Sequence, residues 1–122
     1  MTKINVDPIE RNSFFNELLP NNPGLLILKF GAEWCKPCKL SKKQVYEYFN
    51  KMPENVLCYD VDVDDSFDLY AFFKTKRMIN GIPVILTFKK GNTSFVPDLT
   101  VTGANSDSIT KFFNDSINLL NN

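Results

Sequence analysis

Residues 31–44 read GAEWCKPCKLSKKQ. Two cysteines, Cys35 and Cys38, stand two residues apart, after a tryptophan and ahead of a lysine-rich stretch. Such a pair is half of a metal site, a structural staple or a reactive dithiol, and its surroundings discriminate among these. The preceding run, LLILKFGA at 25–32, is almost continuously apolar and broken only by Lys29, the pattern of a strand buried on both faces. The following stretch, from Pro37 to Met52, carries Leu40, Val45, Tyr48, Phe49 and Met52 on one side of an expected helix. The pair therefore falls where a strand gives way to a helix. At that junction Cys35 is expected at or just before the helix N-terminus, where unpaired N–H groups and the helix dipole favour a thiolate. Lys36 and Lys39 add positive charge nearby, and Pro37 fits the first turn, where its missing N–H costs no hydrogen bond. Cys38 lies one turn further in. This setting suits two-step exchange: Cys35 attacks a substrate disulfide, and Cys38 then attacks the Cys35 sulfur to release reduced substrate.

The composition weakens the other two readings. The chain of 122 residues has no histidine and three cysteines. A Ser–His–Asp triad, a Cys–His dyad and any histidine ligand are excluded, and so is a closed zinc site of four cysteines or of two cysteines and two histidines; no metal is expected. The length fits one domain, 1–122, large enough to bury a core without a disulfide or metal. Formal net charge is zero, so neither a nucleic-acid footprint nor a membrane-surface patch is expected. No apolar run approaches the ~20 residues of a membrane span. The opening MTKINVDPIE has no apolar core of a signal peptide, which points to a cytoplasmic, reducing compartment, where a close cysteine pair is catalytic or metal-binding more often than structural.

Periodicity supplies the remaining elements. Asp7-Pro8-Ile9-Glu10 reads as a helix start, with Asp7 as N-cap and Pro8 first in the helix, followed by Ile9, Phe14, Phe15, Leu18 and Leu19 on an apolar face and ended by Pro20 and NNPG. In VLCYDVDV, at 56–63, Leu57, Tyr59, Val61 and Val63 share one face of a strand, with Cys58, Asp60, Asp62 and the following Asp64 on the other. A helix over 66–77 carries Phe67, Leu69, Tyr70, Phe72 and Phe73 toward the core. IPVILTFKK is a strand, GN turns it toward a second stretch at 93–102 whose Pro97 marks an edge or a bulge, and a last helix starts near Ser106. With a short strand at 4–6, the order implies an α/β fold: a central mixed sheet of four to five strands, partly parallel and partly antiparallel, flanked by about four helices.

At this point the sequence resembles the thioredoxin family. FGAEWCKPCK is similar to that family's A-x-W-C-G-P-C-K signature, YDVDVDD to the strand after the active-site helix, GIPVILTFKKG to the stretch bearing a cis-proline, and TGANSDSITKF to the turn into the last helix. The resemblance spans roughly residues 5–120. It implies a thioredoxin-like fold and a protein-disulfide reductase, with Cys35 attacking and Cys38 resolving. It further implies Trp34 as the flanking tryptophan, Asp64, in preference to Asp62, as partner of its indole, Pro83 as the cis-proline facing the dithiol, Ile82 as the residue whose backbone pairs with substrate, and Gly103 and Ala104 as the turn lining the same groove. The implied partners are disulfide-containing protein substrates and a thioredoxin reductase. No cofactor beyond the redox-active disulfide is implied, and a monomer is expected. A disulfide oxidase or isomerase, and a non-catalytic binding module on the same scaffold, are the competing functions.

Two departures from the family pattern concern charge. Lys36 stands where glycine is commonest, which favours the Cys35 thiolate. Lys29 stands where a buried acid near the resolving cysteine is common. It is expected either to be neutral and serve as base for Cys38, or to be charged, pair with a carboxylate such as Glu33 and stabilise the Cys38 thiolate. Cys58 reads as a small packing residue, with a regulatory thiol as its alternative.

Overall fold

The computed structural model describes residues 3–122. Five strands, β1 (Ile4–Asn5), β2 (Leu25–Gly31), β3 (Val56–Asp62), β4 (Val84–Lys89) and β5 (Leu99–Thr102), form one sheet in the order β1-β3-β2-β4-β5. β3 runs parallel to β1 and β2, whereas β4 is antiparallel to β2 and β5. Helix α1 (Arg11–Ser13) passes into a π-helical stretch, Phe14–Leu18, and is followed by α2 (Lys36–Asn50), α3 (Phe67–Thr75) and α4 (Ser106–Leu120). This is the mixed α/β sheet that the alternation of strand and helix patterns predicts.

Every residue of β2 is buried because the strand lies in the middle of the sheet with helices on both sides. Its side chains alternate between two cores. Leu26, Leu28 and Phe30 join Phe14, Leu69, Phe73 and Phe88 on the α1/α3 side. Leu25 and Ile27 join Val45, Phe49, Phe112 and Phe113 on the α2/α4 side. β3 divides in the same way, with Val61 and, just past the strand's end, Val63 in the first core and Val56 and Cys58 in the second.

Four expectations are corrected. The first helix does not begin at Asp7. Glu10 is extended (φ −80, ψ 148) and the helix starts at Arg11. The Ile9 N–H donates to Ser66 Oγ at 2.9 Å and its side chain is buried, so a tertiary anchor overrides the local capping pattern. Leu40 is 71% exposed rather than part of the inner face of α2. The buried stripe is Cys38, Ser41, Val45 and Phe49, and Leu40 lies about 200° around the helix from Cys38. Phe67, at the first position of α3, is exposed, and the inward positions are Leu69 and Phe73. β5 begins only at Leu99. Ahead of it the Asp98 carboxylate accepts the Lys89 N–H (2.7 Å) and an Asn92 Nδ2–H (3.0 Å), closing a side-chain-braced loop where a ladder was expected.

Candidate active site

β2 ends at Gly31 and α2 begins at Lys36, so the intervening loop presents Cys35 as the N-cap of α2. Its backbone is extended (φ −93, ψ 105), and its Sγ accepts the Cys38 N–H at 3.3 Å. A sulfur thus takes the capping role that oxygen side chains usually fill. Pro37 occupies the first turn, where no N–H is needed. Cys35 and Cys38 are joined as a disulfide with their Cα atoms 5.3 Å apart, and both are buried. When the bond opens, the cap N–H and the positive end of a fifteen-residue helix favour a thiolate at Cys35. Lys36 is exposed in the same turn.

Antiparallel pairing of β4 with β2 carries the segment ahead of Val84 to the same end of the sheet. The Ile82–Pro83 bond is cis, and the Ile82 carbonyl oxygen lies 3.9 Å from Cys35 Sγ. The Gly103 N–H donates to the Pro83 carbonyl at 2.8 Å. Gly103 has φ +95, a conformation that favours glycine, so the turn after β5 closes against Pro83, with Ala104 next in the chain. Trp34 is 69% exposed, and its indole N–H donates to Asp64 Oδ2 at 2.9 Å. Asp62 instead accepts the backbone N–H groups of Asp64 and Asp65. The structure therefore gathers Trp34, Cys35, Ile82, Pro83 and Gly103 around one disulfide.

Lys29 is not on this outer face. It is 3% exposed, on the α2 side of β2, and its Nζ lies 3.7 Å from Asp60 Oδ1. The Glu33 partner considered above is replaced by Asp60 because the parallel register sets Lys29 directly beside it. Burial pulls the Lys29 ammonium below its ordinary value, while Asp60 opposes that shift and Lys42 adds to it. The other Asp60 oxygen accepts the Tyr46 hydroxyl at 2.5 Å. Burial is the main cause of the raised Tyr46 value, with Asp60 adding to it. Asp60 was legible only as one carboxylate of the polar β3 face, and Tyr46 was not singled out. Their meeting depends on register and helix packing, for which the sequence holds no local signal. Cys58 is free and fully buried in the α2/α4 core, with its thiol pushed up to about 12 by burial. These are the marks of a packing residue. Among the described residues no group of three or more His, Cys, Asp or Glu side chains could hold a metal, and no helix is long and apolar enough to cross a membrane.

A disulfide that caps a helix after a central strand, faced by a cis-proline, on a five-stranded mixed sheet, defines a dithiol protein of thioredoxin-like fold. Residues 5–115 match the family model described as Thioredoxin. The chain is 35% identical over 117 residues to the thioredoxin of Ovis aries, spanning 92% of this chain and 99% of that one. To the thioredoxin of Equus caballus it is 40% identical over 91 residues, spanning 70% and 78%. In fold it resembles Trichomonas vaginalis thioredoxin, with a TM-score of 0.74 at 20% identity over 92% of this chain and 96% of that one. The chain belongs to the thioredoxin family. With its cysteine pair at bonding distance, it is a thiol–disulfide oxidoreductase of the disulfide-reducing type.

Proposed function

We propose that this protein reduces disulfides in other cytoplasmic proteins, working as a monomer that carries electrons from a separate thioredoxin reductase and needs no bound flavin or nicotinamide. The Cys35 thiolate attacks one sulfur of the substrate disulfide. The other substrate sulfur leaves with the bonding pair and takes up a proton. Cys38 then loses its proton and attacks Cys35 Sγ, which breaks the mixed disulfide and releases the second substrate thiol. Two electrons have moved to the substrate, and Cys35–Cys38 is left oxidised. Trp34, Ile82, Pro83, Gly103 and Ala104 form the groove that receives the substrate segment, with Asp64 steadying the Trp34 indole.

One observation carries this assignment: Cys35, not Cys38, is the residue whose sulfur, at the N-cap of α2, accepts the Cys38 N–H and lies beside the Ile82 carbonyl oxygen. The helix terminus therefore favours the Cys35 thiolate as the attacking species. In an insulin-reduction assay driven by dithiothreitol, catalytic amounts of the protein are expected to bring precipitation forward severalfold. An onset no earlier than with dithiothreitol alone would count against reductase activity and leave a binding module on the same scaffold.

A further inference from the structure

Beside Cys38 a cleft of about 240 Å³ lies between β2, β3 and α2. Gly31 opens it by lacking a side chain. A Cβ there would stand 3.4 Å from Cys38 Sγ and 3.7 Å from Lys29 Nζ, so the sulfur and the amine border the same small space. The charged and titratable groups that line this space are Glu33 from the loop, Lys39, Lys42 and Tyr46 from α2, and Asp60 and Asp62 from β3. β4 sets Ile85 beside Lys29, and Val6 after β1 completes the wall, both apolar. Glu33, Lys39 and Lys42 are exposed, where solvent screens them. Lys29 is the buried charge next to the resolving sulfur. It is pinned from two elements at once: β3 supplies Asp60, whose second oxygen is in turn held by Tyr46 of α2.

We propose that the Lys29 ammonium, held in place by Asp60, stabilises the Cys38 thiolate in the step that resolves the mixed disulfide, so that the buried charge serving this reaction is a cation. The inference rests on the assignment of Cys38 as the resolving residue. The Cys38 thiol gives its proton to solvent in the cleft. Its sulfur pair forms the bond to Cys35, the pair of the Cys35–substrate bond leaves on the substrate sulfur, and that sulfur takes up a proton. Lys29 keeps its protons throughout. A nearby positive charge lowers a thiol's pKa, so the resolving step remains fast at lower pH than it would without Lys29. Removing the cation cuts the thiolate fraction at any pH below that value.

The test uses the Cys35→Ser protein. Burial pushes the Cys58 thiol up to about 12, and the Cys38 ¹³Cβ shift reports Cys38 alone, free of the tyrosine phenolates that overlap thiolates in the ultraviolet. Adding Lys29→Met is expected to raise the Cys38 pKa by about one unit, a tenfold loss of thiolate at a fixed lower pH. Lys29→Arg, which keeps the charge, is expected to restore most of the difference. A merely structural role for Lys29 gives no such rescue of a pKa. An unmoved or lowered Cys38 pKa in Lys29→Met overturns the proposal, while trapping of substrate adducts by Cys38→Ser and not by Cys35→Ser separately decides the underlying assignment. Should Lys29→Met fail to fold, the reduced unmutated protein answers the question by NMR. The Lys29 ¹³Cε signal is expected to hold its ammonium position through the midpoint of the Cys38 ¹³Cβ titration, and a Lys29 transition completed before that midpoint overturns the proposal.

Discussion

Cys35→Ser is expected to reduce catalysed insulin reduction to the rate of dithiothreitol alone, whereas Cys38→Ser is expected to stop turnover by a different route. The physical difference lies in which sulfur begins the exchange. A helix N-terminus favours a thiolate at the capping position, and only a thiolate attacks a disulfide at a useful rate. A serine hydroxyl at position 35 stays protonated beside the same N–H groups and has no comparable nucleophilicity. With Cys38 replaced, Cys35 still attacks but nothing within the chain can displace it, so a covalent adduct with the substrate accumulates. Mass spectrometry and non-reducing gels after mixing with an oxidised protein substrate check this. Adducts are expected for Cys38→Ser and none for Cys35→Ser. The reverse pattern would exchange the roles of the two cysteines.

The largest expected effect on stability is at Phe73. This ring is fully buried in the α1/α3 core, with ring centroids 5.8 Å from Phe14, 6.0 Å from Phe30 and 6.2 Å from Phe88. It therefore ties α3 to both the π-helical stretch Phe14–Leu18 and the centre of the sheet. Phe73→Ala removes the apolar burial and leaves a cavity, a loss of about 3–5 kcal/mol. Set against a total stability of about 5–15 kcal/mol, this is a large share, and the midpoint of thermal unfolding is expected to fall by about 10–20 °C. Phe67→Ala is the matched control. Its ring is 65% exposed at the head of α3, so the expected change is within about 0.5 kcal/mol. Urea denaturation of both variants provides the measurement. Equal losses would contradict the packing described here.

Much of the site could be read without coordinates because its central residues are contiguous. Cys35, Lys36, Pro37 and Cys38 lie between the apolar run at 25–32 and an amphipathic stretch, so the strand-to-helix junction and the different positions of the two sulfurs follow from local pattern. Pro83 and Gly103 are another matter. Nothing local in IPV or TGA points at a dithiol some fifty or seventy residues away. Only the family resemblance brought them forward, and the antiparallel β2–β4–β5 pairing is what joins them physically. The misread features share one cause. Asp7-Pro8 has good capping chemistry, but burial of Ile9 and its bond to Ser66 hold the chain extended. Leu40 is apolar, but it lies on the far side of a helix whose inner stripe includes Cys38 and Ser41. For Lys29 the sequence left open a neutral amine or a carboxylate partner such as Glu33, and the register with β3 supplied Asp60. In each case a tertiary partner outweighed a local preference, and the identity of that partner depends on register and helix rotation, which single-residue patterns do not carry.

The decisive measurement is the reduction potential of the Cys35–Cys38 pair. It is measured by equilibrating the protein with defined glutathione or dithiothreitol buffers and counting free thiols at Cys35 and Cys38. A thiolate favoured by the α2 cap and by Lys36 stabilises the reduced form, which raises the potential above that of a structural disulfide. The expected value lies between about −270 and −180 mV, the interval from thioredoxin to disulfide isomerase. A value below about −300 mV, typical of structural disulfides, or one near −120 mV, typical of a dedicated oxidant, would contradict a dithiol built to reduce protein disulfides.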